Sequence, residues 1–168
     1  MRRFRPLLFI SLLLLVAAVV AARYHAATNH HLLVGVWKQD VPAIGTALAH
    51  GAEVDARQYP ADKTVPVYNL AGRFKFVRPP YGMTALMIAT INHDYPTAKY
   101  LLEHGADVNA VSSEFDARQQ VTALWLARLQ YQFLTKLYAD PKLRRKAKDK
   151  PSDFLPIITL LEQAGGKA

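Results

Sequence analysis

Gly82–Ala110 reads GMTALMIATINHDYPTAKYLLEHGADVNA, and the rest of the chain is arranged around it. Thr84-Ala85-Leu86-Met87-Ile88-Ala89 is a short apolar run at helical spacing, and Asn92-His93-Asp94 interrupts it. A second helix follows, with Pro96 in its first turn and Ala98, Leu101 and Leu102 on one face. Gly105 allows a left-handed helix end, and Ala106–Ala110 leaves in extended form. The order is helix, turn, helix, turn, extended arm.

This stretch resembles an ankyrin repeat, a unit of about 33 residues carrying a T-P-L-H-x-A signature. Thr84–Ala89 stands at the signature, with Ala85 in place of the proline and Met87 in place of the histidine. The fit of Leu101–Ala110, LLEHGADVNA, is closer.

The pattern recurs. His30–Ala56 repeats it at a constant offset of 54 residues, Asp40 matching Asp94 and Gly51 matching Gly105. A third copy begins at Thr122-Ala123-Leu124-Trp125-Leu126-Ala127 and resumes at Asp153. There Leu160-Leu161-Glu162 matches Leu101-Leu102-Glu103 at an offset of 59. Asp40, Asp94 and Asp153 each precede a second helix, where a carboxylate caps free N–H groups and suits the helix dipole. Three units are about the minimum for a stack, because one helix pair cannot bury its apolar face alone. The fold expected is all-α: a helical solenoid of about three ankyrin-like repeats, at 30–56, 82–110 and 121–164.

Two insertions interrupt it. Arg57–Tyr81 lengthens the turn between the first two repeats, and Val65–Leu70 and Arg73–Val77 read as strands around Ala71-Gly72. Pro66, Pro79 and Pro80 suit an edge position, so a β-hairpin finger is expected. Tyr68, Phe74 and Phe76 can share one of its faces, ringed by Arg73, Lys75 and Arg78. The second insertion spans 131–152. The first helix of the third repeat runs on to Tyr138, Asp140-Pro141 ends it, and the basic loop KLRRKAKDK follows. Lys142, Arg144, Arg145, Lys146, Lys148 and Lys150 face one acid there, Asp149, so the chain's net charge of +8 is concentrated in this loop and in the N-terminal arginines.

Met1–Pro6 is a basic leader and Leu7–Ala22 an apolar run of 16 residues ending in Val20-Ala21-Ala22. Residues 1–22 read as a signal peptide or an uncleaved signal anchor, the run being shorter than the ~18 residues of an ordinary spanning helix. Residues 23–29 read as a linker, and 30–168 as the repeat domain. Either fate of the leader places the domain outside the cytoplasm. The alanine-ended segment is of bacterial type, so the periplasm is expected, with the domain free there or anchored to the inner membrane. With no cysteine, there is neither a disulfide framework nor a thiolate metal site.

No catalytic constellation is present: no nucleophile elbow, phosphate-cradling glycine loop or HExxH helix. His30-His31 has no carboxylate at ligand spacing, and no cofactor or metal is expected. The ankyrin resemblance implies instead a non-enzymatic, monomeric protein–protein interaction module of the bacterial cell envelope. Its alternatives are an immunity-type inhibitor of a toxin or secreted enzyme, and an accessory factor for a periplasmic enzyme. Candidate partner contacts are Tyr68, Arg73, Phe74, Lys75, Phe76 and Arg78 on the finger, with Trp37 and Trp125 on first helices, because aromatics and arginine dominate interface energetics. The basic loop suits solvation or an anionic membrane surface better than nucleic acid, to which one loop offers few phosphate contacts.

Overall fold

The computed structural model describes residues 5–58, 65–68, 74–77, 82–112, 121–145, 147 and 149–167, with backbone alone at 5–9, 58, 65–68 and 74–77. The chain is mostly helical. In order come α1 (Arg5–Lys38), α2 (Val41–Ala49), β1 (Arg57–Gln58), β2 (Val65–Tyr68), β3 (Phe74–Val77), β4 (Met83–Thr84), α3 (Ala85–Ile91) and α4 (Tyr95–Glu103). Then follow α5 (Ala123–Ala139), α6 (Pro141–Arg144), a 3-10 turn (Pro151–Phe154) and α7 (Leu155–Gln163).

The helices form two rows. α1, α3 and α5 lie side by side in that order, and each packs on its own second helix, α2, α4 or α7. The middle element is enclosed by both neighbours, so α3 is buried on every side from Ala85 to Thr90. An all-round apolar sequence in a short helix has this consequence. Leu86, Met87 and Ile88 are essentially inaccessible, each contributing about 1.5–3 kcal/mol of burial. Leu32, Val36, Ile44, Leu101, Leu124, Ile157 and Leu161 extend the same core across all three pairs.

Local chemistry starts and stops each helix. Thr84 accepts a hydrogen bond from the Met87 N–H at 3.3 Å, and Thr122 does the same for the Trp125 N–H at 3.2 Å. Asp40 caps α2 through the Ala43 N–H, and Asp94 caps α4 through the Thr97 N–H. Asp153 departs from this pattern. Its carboxylate turns back to the Lys150 N–H at 2.7 Å and closes the 3-10 turn, leaving α7 to start after Phe154 with no side-chain cap.

Main-chain bonds also correct the alignment of the third pair. After α2, α4 and α7, equivalent N–H groups of Ala52, Ala106 and Gly166 reach back to the carbonyls of Ala47, Leu101 and Leu161. Gly51, Gly105 and Gly165 precede them, each at a φ of +84 to +88°. The third offset is therefore 60 residues, not 59: Leu161, rather than Leu160, is the counterpart of Leu101. The 3-10 turn takes up the extra residue.

The structure also departs from the sequence reading at residues 23–29. They form no separate linker, because α1 runs unbroken from Arg5 through them to Lys38. Thr28 is buried, and the Asn29 side chain accepts a 2.8 Å hydrogen bond from the Glu53 N–H. That bond has equivalents one and two pairs along: the Asp107 N–H to Asp55 at 3.0 Å, and the Lys167 N–H to Asn109 at 2.8 Å. Asn29 thus supplies from α1 what a preceding unit would supply, and it closes the row.

The two rows have two distinct edges. At one edge lie the starts of α3 and α5, the glycine turns, and the β1–β4 pairing, Arg57 opposite Thr84 and Gln58 opposite Met83. The opposite edge carries the tight turns at Gln39 and His93, with φ of 58° and 44°. His93 Nε2 there lies 3.2 Å from Asp149 Oδ1, and its ring meets Phe154 edge-on, with centroids 5.4 Å apart.

Candidate interaction surface

Among the described residues, Arg57 ties down the root of the inserted segment. Arg57 Nη1 donates to the Gly82 carbonyl at 2.9 Å and to the Val111 carbonyl at 2.8 Å, from a half-buried position. It ties the start and end of the 57–81 insertion to the next extended arm. The repeat comparison gives no signal for this role, since Val111 stands where Arg57 would recur.

Within the insertion, β2 and β3 pair antiparallel, with Val65 opposite Val77, Pro66 opposite Phe76, Val67 opposite Lys75 and Tyr68 opposite Phe74. Directly opposed positions share a face, and alternate positions along each strand join them. By register, positions 66, 68, 74 and 76 therefore fall on one side, and 65, 67, 75 and 77 on the other. Arg73 and Arg78 lie outside the described residues.

Trp37 and Trp125 are brought onto the core rather than left free. Both are half-buried against the apolar cluster, Trp37 near the end of α1 and Trp125 in the first turn of α5. They sit in the outer pairs with α3 between, so they form no common patch. His30 and His31 have ring centroids 6.2 Å apart, and among the described residues no group of three or more metal-ligating side chains assembles.

The basic segment differs from a plain loop. Lys142 and Arg144 belong to the one-turn helix α6, which Asp140 caps through the Lys142 N–H at 2.8 Å. Their side chains and those of Arg145 and Lys150 are exposed, while Lys146 and Lys148 lie outside the described residues. Asp149, the segment's acid, is engaged by His93. That contact fixes the segment at the edge opposite Arg57, so the two candidate surfaces are not one site.

His50 Nδ1 lies 2.7 Å from the Thr46 carbonyl and His104 Nδ1 2.8 Å from the Tyr100 carbonyl, at equivalent helix ends. His104 also stacks on Tyr100, with centroids 4.0 Å apart.

Comparison with known proteins matches the middle part of this geometry. The sequence profile of the ankyrin repeat matches residues 81–113, which hold β4, α3, α4 and the arm beyond Gly105. A segment of 36 residues is 53% identical to the palmitoyltransferase akr1 of Schizosaccharomyces pombe. It covers 21% of this chain and 6% of that protein, so the likeness extends over about one repeat and carries no acyltransferase chemistry with it. Residues 81–113 are an ankyrin repeat, a non-catalytic interaction fold, and this protein is one that carries it between two further helix pairs.

Proposed function

We propose that the chain is an exported protein-recognition module, a stack of three ankyrin-like repeats at 30–56, 82–110 and 121–164. In this reading partner contact is made by the finger at 57–81. The observation that carries it is the Arg57 clamp. An insertion that served only as slack would not need its root bonded to two carbonyls, one of them in the next arm. Fixing the root lowers the ordering cost of binding, which is how a preorganised loop gains affinity. The β2–β3 register supports a two-faced finger, with Tyr68, Phe74 and Phe76 at positions of one face and Lys75 on the other. Trp37 and Trp125 are further candidate contacts on first helices, Trp125 in the first turn of α5 and Trp37 near the opposite edge.

Export is supported by the basic leader, the apolar run and the exposed α1 segment, and in this reading the module is free in the periplasm or anchored to the inner membrane facing it. The inhibitor and enzyme-accessory readings are special cases distinguished by the partner's identity. The test replaces Ala61–Val77 with a short Gly/Ser linker and compares both proteins in affinity capture from the cell envelope, with thermal unfolding alongside. Recognition by the finger predicts an unfolding temperature within about 2 °C of the parent and loss of the captured partner. A shortened protein that unfolds several degrees lower would make the finger a cover for the repeats. One that captures the same partner would end the assignment.

A further inference from the structure

α1 is one continuous helix of 34 residues, and its two ends live in different surroundings. From Thr28 onward its face enters the core, through Leu32, Leu33 and Val36. From position 10 to position 27 every residue is exposed, and up to Ala22 nearly every one is apolar. Ile10, Leu12, Leu13, Leu14, Leu15, Val16, Val19 and Val20 face outward on all sides of the helix, Leu13 at 74% exposure. A helix apolar all round is stable only inside a protein or inside lipid, and no described residue covers this one. By length and composition the helix can cross a membrane, as a signal sequence also can.

Nothing in the sequence separates the two parts. Between Leu7 and Thr28 there is no glycine and no proline, and Arg23-Tyr24-His25-Ala26-Ala27 contains no residue that ends a helix. Pro6 stands near the helix start, where its missing N–H is harmless. Downstream, the helix is held by the Asn29–Glu53 bond and by the packing of Leu32 and Val36. The continuity is therefore written into the chain at both ends of the junction.

We propose that α1 is retained as a membrane anchor and acts as a rigid stalk that presents one edge of the repeats to the bilayer. The occupant of the apolar face is lipid hydrocarbon. Ala22 to Thr28 is six residues, so at 1.5 Å per residue the core begins roughly 9 Å from the end of the apolar run. The edge at that end of α1 carries Glu53, Arg57 and the root of the 57–81 insertion. The opposite edge lies ten residues of α1 further out, roughly 15 Å, and holds the His93–Asp149 contact and the basic segment. The finger is thus rooted at the bilayer surface. Lys142, Arg144, Arg145 and Lys150 point to the aqueous side and do not serve as a headgroup contact.

The inference rests on the export proposed above, and its test separates the two. The chain has no cysteine, so single cysteines can be placed without background. Full-length protein carrying Glu53→Cys or Ser152→Cys is labelled with a fluorophore and reconstituted in phosphatidylcholine vesicles containing a headgroup nitroxide quencher. A retained stalk predicts at least about twofold stronger quenching at position 53 than at 152. A Gly-Gly-Ser-Gly insert between Ala26 and Ala27 should bring the two values together. Equal quenching in the unmodified chain, or a difference that survives the insert, would overturn the rigid stalk. Sequencing of the native protein should find the leader attached; a mature chain starting at Arg23 would overturn the anchor and leave export intact. A C-terminal reporter active only in the cytoplasm would end both.

Discussion

Gln39 and His93 hold a backbone conformation that glycine adopts at lower cost, φ 58° and 44°, at the same point of consecutive helix pairs. Both are fixed by the bond after them, Asp40 N–H to the Gly35 carbonyl and Asp94 N–H to the Ala89 carbonyl, each 2.9 Å. The side chain of His93 repays its position by meeting Asp149 and Phe154, whereas Gln39 is exposed. Gln39→Gly should therefore raise stability by about 0.5–1 kcal/mol, read as a higher midpoint in urea. An unchanged or lower midpoint would mean that the turn is not strained. Arg57 is the contrasting case. Removing it with Arg57→Ala leaves the Gly82 and Val111 carbonyls without their donor and should cost about 1–3 kcal/mol. It should also speed proteolysis within 57–81. Loss of stability without faster cleavage there would argue that Arg57 holds the core and not the insertion.

Among the elements, α7 shows what the sequence leaves open. Matching Leu160-Leu161 to Leu101-Leu102 is the better match in letters, yet the bond from the Gly166 N–H to the Leu161 carbonyl shifts the register by one. Burial agrees, for Leu161 is inaccessible and Leu160 only half-buried. Leu161→Ala should cost about 2–5 kcal/mol and Leu160→Ala less than half as much. The reverse order in chemical denaturation would restore the offset of 59. Other features were legible because they depend on neighbours in sequence: the caps at Asp40 and Asp94, the glycine turns, and the end of α5 at Asp140-Pro141. What was not legible depends on distant partners. Asn29 has no pattern around it and gains its role only because Glu53 arrives there. Composition changes sharply at Arg23, which suggested a linker, while the helix continues because nothing at that point breaks it. The candidate site divides the same way. Its aromatics and charges could be named from the sequence, but the clamp that roots the finger spans the interval from Arg57 to Val111 and leaves no local trace.

At the scale of the whole molecule, the proposed stack comprises three helix pairs, beginning inside α1 and ending at Gly166. Each outer pair buries its apolar face on the middle one, through contacts of α1 and α5 with α3 on either side. Neighbour coupling of this kind makes short repeat arrays unfold as a unit, because no pair has enough core to stand alone. The chain provides its own reporters, since its two tryptophans lie one in each outer pair. The decisive measurement is equilibrium urea unfolding of the full-length protein in detergent micelles, followed by tryptophan fluorescence in Trp125→Phe and in Trp37→Phe. Each variant is calibrated against its own far-ultraviolet circular dichroism. One stack predicts that in each variant the fluorescence and helical transitions coincide, whether the reporter is Trp37 or Trp125. A Trp37 signal that melts well before the helical signal would show that the first pair stands apart from the others, and would contradict the account.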